Sequence, residues 1–261
     1  MPATQEAVLK ASRLDIDVPG RRLVANLTLE IHPGEFVAVL GRNGTGKSLS
    51  LHTLAGLRPA TGLVRLDGEV LSDLPRRRIA RRLALLPQYS EDVFPATVFD
   101  TALIGRHPHI GALRRESAAD HDIAVRCLDA VDLGEMADRD VSTLSGGERR
   151  RLAIAQVLAQ EPAVFLLDEP TNHLDPQHQL DVLDLFAAKA REGISIVASL
   201  HDVNLAARYA SRCLLLHGDG RWELGPTGDI LTAARLSELY RVGMESTDWH
   251  GRRLFVAAER R

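Results

Sequence analysis

Gly41-Arg42-Asn43-Gly44-Thr45-Gly46-Lys47-Ser48 fits the pattern G-x-x-x-x-G-K-[ST]. Glycines at these positions let the backbone turn so that consecutive N–H groups point inward at an anion. Phe36–Leu40, just before it, is a fully apolar run of strand length, and Ser48–Ala55, just after it, reads as a helix. The helix adds its positive N-terminal end to the turn. A strand, loop and helix in this order form the phosphate-binding unit of a parallel α/β sheet. Lys47 is expected to reach the β- and γ-phosphates of ATP, and the Ser48 hydroxyl to ligate Mg²⁺.

Two further segments carry chemistry. Val164-Phe165-Leu166-Leu167-Asp168-Glu169 is an apolar strand that ends in two carboxylates. At the C-terminal edge of a parallel sheet, Asp168 would face the Mg²⁺ beside Ser48. Glu169 would then orient and polarise a water attacking the γ-phosphate. Leu144-Ser145-Gly146-Gly147-Glu148 opens an apolar-periodic helix, and Ser145 and Glu148 have capping-box spacing. Two glycines straight after a cap cost about 1 kcal/mol each in helix propensity. They make sense where bare backbone must approach an anion.

Around these segments the chain alternates between strands and helices. Leu14–Val18, Leu23–Ile31 and Leu63–Leu66 read as strands bounded by Pro19-Gly20, Pro33-Gly34 and Asp67-Gly68. Val98–Val141 is helical in pattern, with a helix expected over Arg115–Val131, and forms an inserted lobe. Ile194–Ser199 is a second buried strand. Pro176–Arg191 is a helix with Asp175 as N-cap, Pro176 in its first position and Gly193 as stop signal. The run of arginines over Arg76–Arg82 is expected to be a solvated helix face.

The whole set, in this order, resembles the ATP-binding cassette (ABC) ATPases, whose signature motif is LSGGE. In that resemblance Gly41–Ser48 is the Walker A loop, with Gly41, Arg42, Asn43, Gly44, Thr45, Gly46, Lys47 and Ser48 binding nucleotide, and Val164–Glu169 is the Walker B strand. Gln88 in Leu86-Pro87-Gln88-Tyr89 matches the Q-loop glutamine, Asn172-His173-Leu174-Asp175 the D-loop, and His201 the switch histidine. The implied fold is α/β: a P-loop NTPase core with a mainly parallel sheet, an N-terminal antiparallel β subdomain and a helical subdomain near 90–151. The implied catalytic residues are Glu169, His201 and Gln88, with Mg²⁺ held by Ser48, Gln88 and Asp168. Leu144, Ser145, Gly146, Gly147 and Glu148 would act in trans, on the nucleotide of a second, identical copy, with Asp175 in the D-loop beside it. Val18 stands where relatives stack an aromatic ring on adenine. It offers a contact but no π-face, which predicts weaker or less base-selective nucleotide binding; Arg21 or Arg22 would have to compensate.

Cargo is less directly written. Gly105-Arg106-His107-Pro108-His109, the D-loop and the overall length look like the importers of iron chelates, haem and vitamin B12. His107 and His109 are read as structural rather than as metal ligands, because Pro108 separates them and no carboxylate cluster accompanies them. The resemblance places a permease's coupling helix between Tyr89–Thr97 and the helical lobe, so charge reversal at Glu91 and Asp92 is expected to impair coupling more than basal hydrolysis. It also implies a substrate-binding protein as an indirect partner and a location on the cytoplasmic face of the inner membrane. The tail, Ala234–Arg261, carries no readable motif.

Composition sets the outer bounds. The chain has 261 residues, 45% of them apolar, enough for a sizeable core. A net charge of −3 gives no reason to expect nucleic acid as a partner. No uncharged apolar run approaches the roughly 18 residues that cross a bilayer, and Met1–Lys10 has no secretory apolar region. Cys127 and Cys213 form no disulfide framework, which fits a reducing compartment. Lysine occurs only at Lys10, Lys47 and Lys189, so Lys47 is one of few amines and sits where a phosphate site needs one. Other classes explain less. A transporter ATPase of another kind, such as an exporter, stays within the family. Translation factors carry two cassettes and repair ATPases insert long coiled coils, neither of which is present. A kinase has no use for LSGGE, and an inert regulatory module none for Glu169 and His201.

Overall fold

The computed structural model describes residues 6–59, 61–88, 95–111 and 114–258. Along the chain run β1 (Leu9–Val18), β2 (Arg21–Ile31), β3 (Phe36–Leu40), α1 (Lys47–Leu54), β4 (Thr61–Leu66), β5 (Glu69–Val70), α2 (Arg76–Ala80) and β6 (Leu83–Leu86). There follow α3 (Val98–Leu103), α4 (Ala118–Asp129), α5 (Gly146–Ala159), β7 (Val164–Asp168), α6 (Pro176–Arg191), β8 (Ser195–Ser199) and α7 (Val203–Tyr209). The chain closes with β9 (Arg212–Leu216), β10 (Trp222–Pro226), α8 (Thr227–Ile230), α9 (Ala233–Tyr240), β11 (Met244–Trp249) and β12 (Arg252–Ala257).

The central sheet has the order β10-β9-β3-β8-β7-β6. From β9 to β6 every pairing is parallel, and β10 adds antiparallel at the edge. β3, β7 and β8 are buried at every position, as expected for strands covered on both faces. Their side chains alternate between two cores. Phe36, Ala38, Leu40, Phe165, Leu167, Ile196 and Ala198 enter one; Val37, Val39, Val164, Leu166 and Val197 enter the other. The second core is closed by α1 and by an antiparallel sheet of order β2-β1-β4-β5. The first is closed by α3 to α9, with Phe186 of α6 edge-on to Phe165 at 5.3 Å. The fold is thus α/β with a parallel-dominated sheet and an antiparallel N-terminal sheet. No helix among the described residues is long and apolar enough to cross a membrane.

Where pattern and structure differ, local chemistry explains it. β1 begins at Leu9, not Leu14, because Arg13 has φ 53° and the pairing with β2 slips between Ala11 and Leu14, which breaks the alternation. The helix expected over Arg115–Val131 starts at Ala118, where Ser117 and Asp120 form a reciprocal capping box. The arginines around α2 are exposed but anchored rather than merely solvated. Arg76 donates to the Gly56 carbonyl, Arg77 and Arg81 both donate to that of Pro108, and Arg78 and Arg82 pair with Glu69 and Asp67. The tail, in which the sequence shows no readable motif, forms α9 and a β11–β12 hairpin, tied down by Phe255 in the core and by Asn204, whose amide bonds the Phe255 backbone in both directions. Tyr89, Glu91 and Asp92 lie outside the described residues.

Candidate active site

The parallel strands deliver their C-terminal ends to one edge, and a cavity of about 550 Å³ lies there. Val18, Arg21 and Leu23 line it on the antiparallel-sheet side. Asn43, Gly44, Gly46, Lys47 and Ser48 form its floor, and Gln88, Glu169, Asn172 and His201 form the opposite wall.

The loop between β3 and α1 has two parts. Gly44 and Gly46 adopt φ of 76° and 103°, the left-handed region that glycine enters without strain. Gly46 is the N-cap of α1, with no side chain capping the helix and no acid in its first turn. The first N–H groups of α1 are therefore open to an anion. Gly41 and Thr45 sit behind the loop. A Cβ on Gly41 would lie 2.5 Å from the Leu216 carbonyl oxygen, and the Thr45 hydroxyl donates to the Arg42 carbonyl at 2.9 Å. These two fix the loop against the end of β9.

Lys47 is buried, and its Nζ donates to the Gly41 carbonyl at 2.9 Å. Burial lowers its pKa below the ordinary lysine value, while the charges of Glu169 and Asp168 pull the other way. Glu169 follows β7 with φ 50°, a left-handed conformation that costs a non-glycine residue of order 1 kcal/mol or more. Its carboxylate is nonetheless held by three side chains. Oε2 accepts from Gln88 Nε2 at 2.8 Å and from the Asn172 amide, and Oε1 lies 2.5 Å from His201 Nε2. The three elements that carry Gln88, Glu169 and His201 meet only in the folded chain.

Asp168 is buried. Its Oδ1 accepts from the Ser199 hydroxyl at 2.6 Å, and the same hydroxyl accepts from the Glu169 N–H at 2.9 Å. Its Oδ2 is buried with no hydrogen-bond partner among the described residues. A buried carboxylate oxygen left bare costs about 1–3 kcal/mol or more, so this atom fits a hard divalent cation. Magnesium takes few protein ligands and completes its shell with phosphate and water.

The remaining expected site residues fall elsewhere. Leu144 is buried, whereas Ser145 and Gly146 are exposed at the start of α5, and none of the five residues 144–148 lines the cavity. Ser145 and Glu148 form the reciprocal capping box, with Glu148 accepting from the Ser145 N–H at 2.7 Å. Asp175 caps α6 by accepting from the His178 N–H at 3.0 Å. Arg22 is paired with Asp15 and Asp17, so only Arg21 of the two arginines reaches the cavity, where it also bonds the Gly218 carbonyl. His109 Nε2 lies 2.9 Å from the Gln160 carbonyl, a packing contact.

Two residues, Ser199 and Arg150, lie outside the motifs, and Asn172 of the D-loop has a contact that the motif did not indicate. Ser199 bridges both acids, Asn172 holds the Glu169 carboxylate, and Arg150 of α5 reaches the carbonyls at the ends of β6 and β7. For Arg150 a signal was present: Arg150, Ile154 and Val157 lie at i, i+4 and i+7, so one arginine of the Arg149-Arg150-Arg151 run faces the core with two apolar residues.

The family model described as ABC transporter matches residues 24–172. The chain belongs to the ABC transporter family. The ferric enterobactin transport ATP-binding protein FepC of Escherichia coli is 40% identical, over 90% of this chain and 87% of its own. The hemin import ATP-binding protein HmuV of Pseudomonas aeruginosa is 43% identical over 89% of this chain and 92% of its own. Among solved structures, a chain of an inward-facing ABC transporter described as metal-chelate type superposes with a TM-score of 0.84 at 28% identity. It covers 97% of this chain, and 98% of it is covered. As an ABC ATP-binding subunit, the protein is an ATPase whose hydrolysis is coupled to transport.

Proposed function

We propose that this ATPase, working as a homodimer on the cytoplasmic face of the inner membrane, energises a permease that imports a metal chelate: a ferric siderophore, haem or cobalamin. The observation that carries the hydrolytic part is the convergence of Gln88, Asn172 and His201 on one carboxylate, Glu169, across the cavity from Lys47. The names of the relatives support the cargo class.

The chemistry follows from the residues. On nucleotide binding, Lys47 exchanges the Gly41 carbonyl for β- and γ-phosphate oxygens, one hydrogen-bond partner for another of higher charge. The open N–H groups of α1 and the left-handed turn at Gly44 cradle the remaining oxygens. Glu169, already oriented by Gln88 and Asn172, accepts a hydrogen bond from water and aims it at phosphorus. His201 holds Glu169 on one side and would donate to the γ-phosphate. Asp168, Ser48 and Gln88 would hold Mg²⁺, which when bound neutralises charge on the β- and γ-phosphates. Val18, Leu23 and Arg21 form the wall facing the base.

None of residues 145–148 lines the cavity of its own chain, and the anion they meet within that chain is the Glu148 carboxylate of their own capping box. Their exposed helix N-terminus suits the γ-phosphate held by a second copy, with Asp175 of the D-loop near that junction. ATP would then join two copies, and loss of the γ-phosphate would release them, a ligand-biased two-state switch. A substrate-binding protein would deliver cargo from the far side of the membrane.

The test is reconstitution. The chain should co-purify with a multi-span permease, and the complex in proteoliposomes should accumulate a labelled ferric siderophore, haem or cobalamin in an ATP-dependent manner. Intact ATPase activity with no accumulation of any of the three overturns the cargo and leaves the hydrolytic reading standing.

A further inference from the structure

Arg150 is a buried cation on α5 with no carboxylate side chain within salt-bridge distance among the described residues. Backbone carbonyls solvate it instead. Nη1 donates to Pro87 at 2.6 Å and reaches Gln88 at 3.4 Å, Nη2 donates to Asp168 at 2.6 Å and to Glu169 at 2.9 Å, and Nε donates to Pro170 at 3.3 Å. One planar fork therefore closes over the ends of two neighbouring parallel strands, β6 and β7, whose last aligned pair is Leu86 with Leu167. Burial lowers its pKa to about 10, against the opposing charges of Asp168 and Glu169, which leaves it a cation at neutral pH.

We propose that Arg150 is a positioning residue for hydrolysis: its guanidinium fixes the Glu169 and Gln88 backbones relative to each other and ties both to the helix that begins at the 145–148 turn. The inference rests on Glu169 as the residue that orients water. The argument is geometric. The Gln88 and Glu169 side chains meet at 2.8 Å, and the main-chain oxygens of both residues bind the same guanidinium. Their separation is set from behind as well as from in front. The left-handed turn at Glu169 needs outside support to persist, and the bonds to the Asp168, Glu169 and Pro170 carbonyls supply it along three consecutive residues. A lysine ammonium is a point donor on a flexible stem and cannot span both strand ends in one plane. Because Arg150 lies two residues past Glu148, any shift of the first turn of α5 reaches the Glu169 turn through this side chain. A displacement of about 1 Å at a reacting group is enough to cost on the order of 100-fold in rate.

The experiment compares Arg150→Gln and Arg150→Lys, each alone and combined with Glu169→Gln, by steady-state ATPase kinetics, nucleotide affinity and Tm. With Arg150→Gln, kcat is expected to fall about 10- to 100-fold while ATP affinity stays within about threefold, since Lys47 and the loop are untouched. Arg150→Lys, with charge kept but the fork lost, should share the kcat defect. In the Glu169→Gln background the further loss should vanish, because Arg150 acts through Glu169. Unchanged kcat in Arg150→Lys, or an equal loss in both backgrounds, overturns the proposal. If Arg150→Gln does not fold, Arg150→Lys decides by the same two measurements. Normal hydrolysis by Glu169→Gln alone would instead remove the role assigned to Glu169, a distinct outcome.

Discussion

The two glycine turns of this protein, at 41–48 and 145–148, differ in what surrounds their leading glycines, Gly41 and Gly146. At Gly41 the chain itself forbids a side chain, because a Cβ would collide with the Leu216 carbonyl oxygen at 2.5 Å. At Gly146 nothing lies within 4 Å of such a Cβ, and glycine is a poor choice at the start of a helix. The first glycine is explained by packing inside one copy. No such contact encloses Gly146, although a Cβ on Gly147 beside it would lie 3.2 Å from the His173 carbonyl oxygen, so the in-trans role proposed above rests on Gly146. The side chains follow the same division: Glu169 is buried with three partners, whereas Ser145 is exposed and satisfied only by its own capping box. In the function proposed above, the first turn belongs to a finished half-site and the second to a half-site that another copy would complete.

Three substitutions test this division. Glu169→Gln keeps the size and most hydrogen bonds of the finished half but removes its base. Hydrolysis should drop by about 10²- to 10⁴-fold and an ATP-bound dimer should accumulate, measured by phosphate release and by mass in solution. Gly146→Asp attacks the other half with effects of opposite sign. An acid in the first turn of α5 suits the helix dipole, so Tm should hold or rise. ATPase activity should fall at least about tenfold, because the carboxylate repels a partner-held γ-phosphate at a cost of 1.4 kcal/mol or more. A variant with lower Tm and unchanged turnover would erase the contrast. The smallest effect concerns the base wall. Val18→Tyr should tighten ATP binding by about 1–3 kcal/mol through stacking, seen by calorimetry and larger for ATP than for GTP. Unchanged affinities for both would mean that Arg21 already fills that role.

Much of this was legible because the chemistry lies in contiguous motifs. The loop at 41–48, the strand ending at Asp168 and Glu169, and the capping box at 145–148 each carry their own spacing. What was hidden acts across distance. Ser199 is one hydroxyl at the end of an apolar strand, and its bridge between two acids exists only once β8 lies beside β7. Arg150 stands in a run of three arginines, and only its place on the buried face of α5 sets it apart from Arg149 and Arg151. The β11–β12 hairpin left no apolar alternation to read, since five of the six residues of β11 are exposed. β1 was cut short by its irregular pairing at Arg13.

β7 is a strand of two allegiances, with Phe165 and Leu167 committed to one interior and Val164 and Leu166 to the other, and Asp168 next in line. Deleting or inserting a single residue before Asp168 would not merely nudge the carboxylate. It would exchange every contact of the strand between the two interiors at once. The placement of the acid is therefore guarded by the same steric code that keeps the molecule folded, and insertions that this chain tolerates must fall outside that strand.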